Sequence, residues 1–171
     1  DVRPLRPIIM VIYGTPGTGK TSAANTSDNP LLIDCDRGFD RASNQVDTLT
    51  AQTWEDVLAE EQTMKGYKTI IVDTAKSMLD DFLTVYGVKQ DYKLAKNKLK
   101  LFGYIADEFK SFVNRRRADN SDIIFVCHDK ETSEGDVIRH SPDCTGQSKD
   151  LLLRIADQVG FITMVNGKRT I

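Results

Sequence analysis

The first patterned stretch is a continuous apolar, β-branched run at residues 8–13 (IIMVIY). Such a run fits a strand buried on both faces of a sheet, not one that alternates between core and water. Short runs of the same kind recur at residues 31–33, 69–72, 123–127 and 160–165. Between them the spacing changes to the helical period. Trp54, Val57 and Leu58 share a face within residues 54–64, and Met78, Leu79, Phe82, Leu83 and Tyr86 share one within 75–86. Leu94, Leu101, Ile105, Phe109, Phe112 and Val113 form a stripe that predicts one long helix over residues 92–117. Shorter helices are expected at 21–26 and 150–156. Residues 130–148 are polar, with a hairpin arm at 137–140, and Asn166-Gly167 is a hairpin turn signal. Strands alternating with helices predict an α/β domain with a mainly parallel sheet. Residues 1–7, with two prolines and two arginines, read as a loose arm. Residues 8–171 read as a single domain that stops in mid-hairpin, hence as a piece cut short at its C-terminal end.

Composition narrows the class. The 171 residues are 40% apolar and 28% charged, which excludes a disordered or collagenous chain. The apolar runs are too short for a membrane span or a signal-peptide core, so no membrane partner is expected. The net charge of −2 leaves any nucleic-acid contact to a local patch. Cys35, Cys127 and Cys144 form no CxxC pair, and His128 and His140 lack zinc-finger spacing. A reducing, cytosolic setting follows from that cysteine usage.

The chemistry begins directly after the first run. Gly14, Thr15, Pro16, Gly17, Thr18, Gly19, Lys20 and Thr21 fit GxxxxGK[ST], between a predicted strand and a predicted helix, and Ser22 follows. Glycines let the backbone aim N–H groups at phosphate oxygens, Lys20 reaches the β/γ-phosphates, and the Thr21 hydroxyl ligates Mg²⁺. Asp73 ends the run TIIVD, where a carboxylate holds the metal's water shell or, alternatively, caps a helix. The next residue is Thr74, not Glu, so a water-activating carboxylate must come from elsewhere. Asp34 and Asp36 follow the second run, and strand alternation would put them on one side; a capped turn is the other reading. His128 ends the run IIFVCH, either as a γ-phosphate contact or as a surface loop residue.

Taken in order, GTPGTGKT, LLIDCDRGFD, TIIVDT and IIFVCH resemble the RecA-like ATPase core. They are most similar to small phage-encoded RecA-like nucleotide-binding proteins of the AAA type, linked to recombination and single-strand annealing. The resemblance spans residues 8–165 and implies a P-loop NTPase three-layer sandwich with a RecA-like central sheet. It implies ATP and Mg²⁺ as ligands and a phage or host cytosol as the setting. It also implies Asp36 as the residue that activates water, where RecA has Glu, and His128 as the γ-phosphate sensor, where RecA has Gln. Asp36 is one methylene shorter than Glu, so hydrolysis is expected to be weak without a partner. Single-stranded DNA and a homo-oligomer with ATP sites at its interfaces are the partners the resemblance implies. Lys168 and Arg169 are candidates for a cation supplied in trans.

Two surfaces could meet DNA. Residues 130–148 are a mobile-loop candidate of mixed charge. Residues 89–117 carry nine basic against three acidic side chains, with Tyr92 and Tyr104 interleaved, as either a single-strand platform or a solvated helix face. Two other functions compete: a small-molecule kinase of the shikimate-kinase type using Asp34 and Asp36, and a nucleotide-gated assembly module with little hydrolysis. The guanine-selecting NKxD motif is absent, since Asn97-Lys98 runs on into Leu-Lys.

Overall fold

The computed structural model describes residues 6–37 and 42–171. The elements in chain order are β1 (Ile9–Gly14), α1 (Lys20–Ala24), β2 (Pro30–Asp34), β3 (Asp47–Thr50), α2 (Trp54–Ala59), α3 (Glu61–Met64) and β4 (Thr69–Asp73). A π-helical stretch (Ser77–Phe82) leads into α4 (Leu83–Gln90), and a 3₁₀ turn (Tyr92–Lys96) precedes α5 (Lys98–Ala118). β5 (Asp122–Glu134), β6 (Val137–Pro142), α6 (Gly146–Ile155), β7 (Gln158–Val165) and β8 (Lys168–Thr170) complete the order.

The sheet runs β3-β2-β4-β5-β1-β7-β8, with β6 paired to β5. All pairings within the order are parallel except β7 with β8, and β6 is antiparallel on β5. Alternate strand residues divide between two cores, as a sheet buried on both faces requires. Ile9, Val11, Ile70, Val72, Ile123 and Phe125 face the larger core, with Trp54, Met78, Phe109, Phe112 and Leu152 from the helices. Ile12, Leu32, Ile71, Ile124, Val126 and Ile162 face the smaller one, with Ala24 of α1. This is the α/β architecture of a P-loop NTPase domain, with a mostly parallel sheet flanked by helices. Among the described residues, no helix is long and apolar enough to cross a membrane.

Several local expectations shift. The single helix over 92–117 divides at Asn97, whose side chain accepts from the Lys100 N–H at 3.1 Å and so caps a new helix. The helix over 54–64 breaks at Glu60 into α2 and α3. The edge strand β3 has no counterpart in the apolar pattern, because DTLT is short and polar at three of its four positions. The polar stretch after His128 forms a hairpin: β5 continues to Glu134 and pairs with β6, and His140 Nδ1 lies 2.6 Å from Asp129 Oδ2. Residues 1–5 of the expected arm lie outside the described residues, while Arg6 pairs with Asp157 at 2.5 Å. Residues 38–41, the end of the LLIDCDRGFD segment, also lie outside them.

The basic stretch at 89–117 is thinner in three dimensions than in sequence. Lys89 pairs with Glu55 at 2.6 Å and Arg115 with Glu61 at 2.7 Å. Arg116 is buried against Asp119 at 2.9 Å and over the Phe112 ring. Tyr104 packs beside Tyr86 and Gly87, whereas Tyr92 is exposed.

Candidate functional site

Register brings residues of five strands level at one end of the parallel sheet. Gly14 of β1 lies level with His128 of β5 and Ile162 of β7, and Asp34 of β2 lies level with Asp73 of β4. Ligands of open α/β sheets sit beyond the carboxyl ends of the strands. A cleft of about 240 Å³ opens there. Its walls include Pro16, Gly17, Gly19, Lys20, Thr21, Ser22, Asp36, Asp73 and His128, with Ala42, Ser43 and Arg169.

The loop after β1 owes its path to glycine at two points. A Cβ on Gly14 would overlap the Ile162 carbonyl oxygen, so only glycine lets β1 and β7 close here. Gly19 sits at φ 85, a left-handed conformation that side chains disfavour. Within the loop, Thr18 Oγ1 and Lys20 Nζ each donate to the Thr15 carbonyl at 2.8 Å. Thr15 and Thr18 therefore brace the loop from outside the cleft, whereas Lys20 turns into it. Burial lowers the Lys20 pKa, and Asp73, Cys127 and Asp129 oppose that effect. Ser22 reaches the segment after the undescribed residues, with Ser22 Oγ 3.4 Å from Ser43 Oγ and its carbonyl accepting from Asn44 Nδ2 at 3.1 Å.

Thr21 Oγ1 donates to Asp73 Oδ2 at 2.6 Å, so the two expected metal-holding residues meet. Desolvation raises the Asp73 pKa, against the lowering effect of the Thr21 hydrogen bond. A hard divalent cation prefers oxygen ligands. A hydroxyl and a desolvated carboxylate side by side supply two, together with charge left to neutralise, so the pair fits Mg²⁺.

The Asp34/Asp36 pair does not lie as alternation implies. β2 ends at Asp34, which is buried and accepts from the Asp36 N–H at 3.2 Å. The chain turns after that, with Arg37 at φ 54, and Asp36 alone reaches the cleft. Thr74 Oγ1 donates to Asp36 Oδ2 at 3.1 Å, Ser77 Oγ donates to Oδ1, and His128 Nε2 lies 3.7 Å from Oδ2. His128 beside it is the largest cause holding the Asp36 pKa below the usual value, with Ser77 and Thr74 adding to it. The His128 Nδ1 atom is buried without a hydrogen-bond partner.

Sequence reasoning missed Ser77, which lies one helical turn after Thr74 on a stretch read only for its apolar face. Arg169, a candidate for a cation supplied in trans, has its guanidinium over Gly19 of its own chain. The cleft thus gathers one lysine, one arginine, two carboxylates and a histidine around a glycine-rich turn, an inventory suited to a polyphosphate and a cation. No curated protein matches the chain. The family model described as an AAA domain matches residues 6–171, and with the loop, sheet order and strand-tip acids in agreement, the chain belongs to that family of nucleotide-binding, ATPase-type domains.

Proposed function

We propose that the protein binds ATP with Mg²⁺ in this cleft and hydrolyses it with Asp36 as the water-positioning group. The carrying observation is that Asp36, held by the buried Thr74, and His128 line the cleft that also holds Lys20, Thr21 and Asp73. The backbone of residues Gly14 to Lys20 cradles the phosphates, and Ser22 lines the entrance. Thr21 and Asp73 hold Mg²⁺, which when bound neutralises charge on the β- and γ-phosphate oxygens.

Asp36 orients a water in line with the γ-phosphorus. The water oxygen bonds to phosphorus as the bond to the β,γ-bridging oxygen breaks, and that electron pair leaves on ADP. The water proton passes to the Asp36 carboxylate and on to solvent. A carboxylate held below its usual pKa is a weak base, so Asp36 acts chiefly by orientation until phosphorus–oxygen bonding acidifies the water. Lys20 stabilises charge on the transferring group. His128 lines the cleft beside Asp36, where the presence or loss of the γ-phosphate would alter its contact with that carboxylate.

The finer reading, a RecA-like ATPase of recombination or annealing that works on single-stranded DNA as a homo-oligomer, rests on the sequence resemblance. The exposed Lys93, Lys96, Lys98, Lys100 and Lys110, with Tyr92, are the surface left for DNA. The kinase alternative needs an arginine-bearing lid. Arg115 and Arg116 are instead held by Glu61 and Asp119, and neither lines the cleft.

Steady-state ATP hydrolysis with and without single-stranded DNA tests the reading. The expected result is Mg²⁺-dependent turnover that DNA raises. Turnover that ignores DNA would remove the recombination reading and leave the ATPase. ATP binding with no turnover in either condition would favour the nucleotide-gated module.

A further inference from the structure

The turn between β7 and β8 controls where one cation lies. Asn166 and Gly167 both adopt positive φ, 52 and 73, as a two-residue hairpin turn requires. The returning strand β8 pairs Arg169 with Met164. Because β7 lies parallel beside β1 and is level with it at Gly14, this short hairpin stands over the phosphate loop of the same chain. The Arg169 Cζ, Nε and Nη1 atoms fall 2.6, 2.9 and 2.9 Å from where a Cβ of Gly19 would be. The guanidinium therefore rests on the bare backbone of Gly19, in space that any side chain at that position would take.

Arg169 has no carboxylate partner among the described residues, although Asp36 and Asp73 line the same cleft. Elsewhere Arg6, Arg115, Arg116 and Arg139 each lie within 4.0 Å of an acid. Lys20 is the other cation of the cleft wall and bonds to a neutral carbonyl. Lys20 has the field of Asp73 and Asp129 beside it, whereas Arg169 has no ion-pair partner among the described residues, so its charge is left for an anion entering the cleft. A planar guanidinium is the side chain best shaped to grip phosphate oxygens by two hydrogen bonds at once.

We propose that Arg169 is a catalytic residue acting in cis, an arginine that contacts the γ-phosphate of the ATP held by its own chain's loop. It would neutralise charge on the phosphoryl oxygens and the bridging oxygen as the bond to ADP breaks. This rests on the ATPase reading above and departs from it in one respect: the site is complete without a cation from a neighbouring subunit. The β7–β8 hairpin then serves to bring this group to the loop.

The test compares the full chain with R169A, R169K, D36N and an equimolar mixture of R169A and D36N. Hydrolysis is measured alongside the binding of a non-hydrolysable ATP analogue and of ADP. The expected result is a loss of about 10³-fold in kcat for R169A, as for other arginines supplied to a phosphoryl group. Its preference for the ATP analogue over ADP should also fall, R169K should recover only part of the loss, and the mixture should be no more active than its components. Recovery in the mixture would overturn the proposal, because a cation acting in trans lets an intact Asp36 in one chain use an intact Arg169 in another. R169A turnover within a few-fold of the wild type would overturn it too. A wild-type chain that binds nucleotide without hydrolysing it would instead overturn the ATPase reading, and the catalytic role of Arg169 with it.

Discussion

Asp36, in the turn after β2, and His128, within β5 at the level of the end of β1, meet with Oδ2 and Nε2 3.7 Å apart at the wall of the cleft. β4 lies between those strands in the sheet, and its following residues, Thr74 and Ser77, supply two more donors to the same carboxylate. Asp36 is thus held from three elements, and this lets a short aspartate keep a fixed direction at a strand tip.

The lowered Asp36 pKa has a definite pH signature. A carboxylate whose folded pKa is depressed adds stability that is complete above its unfolded pKa and is lost as pH falls through the folded value. The ¹³C shift of the Asp36 carboxyl should titrate below the ordinary aspartate range. Ser77→Ala removes one donor and should move that midpoint upward, toward the ordinary value, with the fold intact at neutral pH. An unchanged midpoint in Ser77→Ala would mean that the hydroxyl does not hold the carboxylate.

Asp73 behaves in the opposite sense. Desolvation raises its pKa, so the folded chain binds a proton more tightly than the unfolded one. Stability then falls as pH rises from the ordinary aspartate value through the raised one, and that cost persists at neutral pH. Asp73→Asn should raise the Tm of the nucleotide-free protein, while weakening the Mg²⁺-dependent part of the stabilisation by ATP by roughly ten-fold or more in metal affinity. Thermal melts with and without ATP and Mg²⁺ check both signs. A lower nucleotide-free Tm in Asp73→Asn would contradict the account of the site as a desolvated acid awaiting a cation.

Arg116 is a structural cation and not part of a DNA surface. It is 1% exposed, bonds Met64 Sδ at 2.7 Å and pairs with Asp119. Removing one partner of a buried pair costs about 3 kcal/mol or more. Arg116→Ala should therefore lower the unfolding free energy by about that amount in urea titrations. Lys98→Ala and Lys100→Ala, both exposed, should leave stability within about 0.5 kcal/mol and reduce the salt slope of any single-strand binding. The reverse ordering, with stability hardly touched by Arg116→Ala, would return this residue to the candidate DNA face.

Much of this was legible in the chain because buried strands and the phosphate loop are local signals. IIMVIY followed by GTPGTGKT specifies a strand, a turn and a helix without any long-range information, and the other strand tips carried Asp36, Asp73 and His128 into view. What could not be read depended on how strands end and pair. Alternation predicted Asp34 and Asp36 on one side, but β2 stops at Asp34, and only the turn after it carries Asp36 to the cleft. Ser77 was hidden because its one polar contact lies on a segment whose apolar face dominates the pattern. The charge count over residues 89–117 treated as one surface what the fold divides, since the pairing of Lys89, Arg115 and Arg116 is set by Glu55, Glu61 and Asp119 on other turns and helices. The cis placement of Arg169 follows from β7 lying beside β1, which no local pattern encodes.

The most direct test of the central claim is single-turnover release of inorganic phosphate from prebound ATP and Mg²⁺, comparing wild type with Asp36→Asn at equal nucleotide occupancy. Wild type should release phosphate, and Asp36→Asn should be slowed roughly 10²- to 10⁴-fold, the range for loss of a positioned acid–base group, with ATP still bound. Equal release rates in the two proteins would contradict that claim, by showing that the carboxylate held by His128, Thr74 and Ser77 does not act on the attacking water.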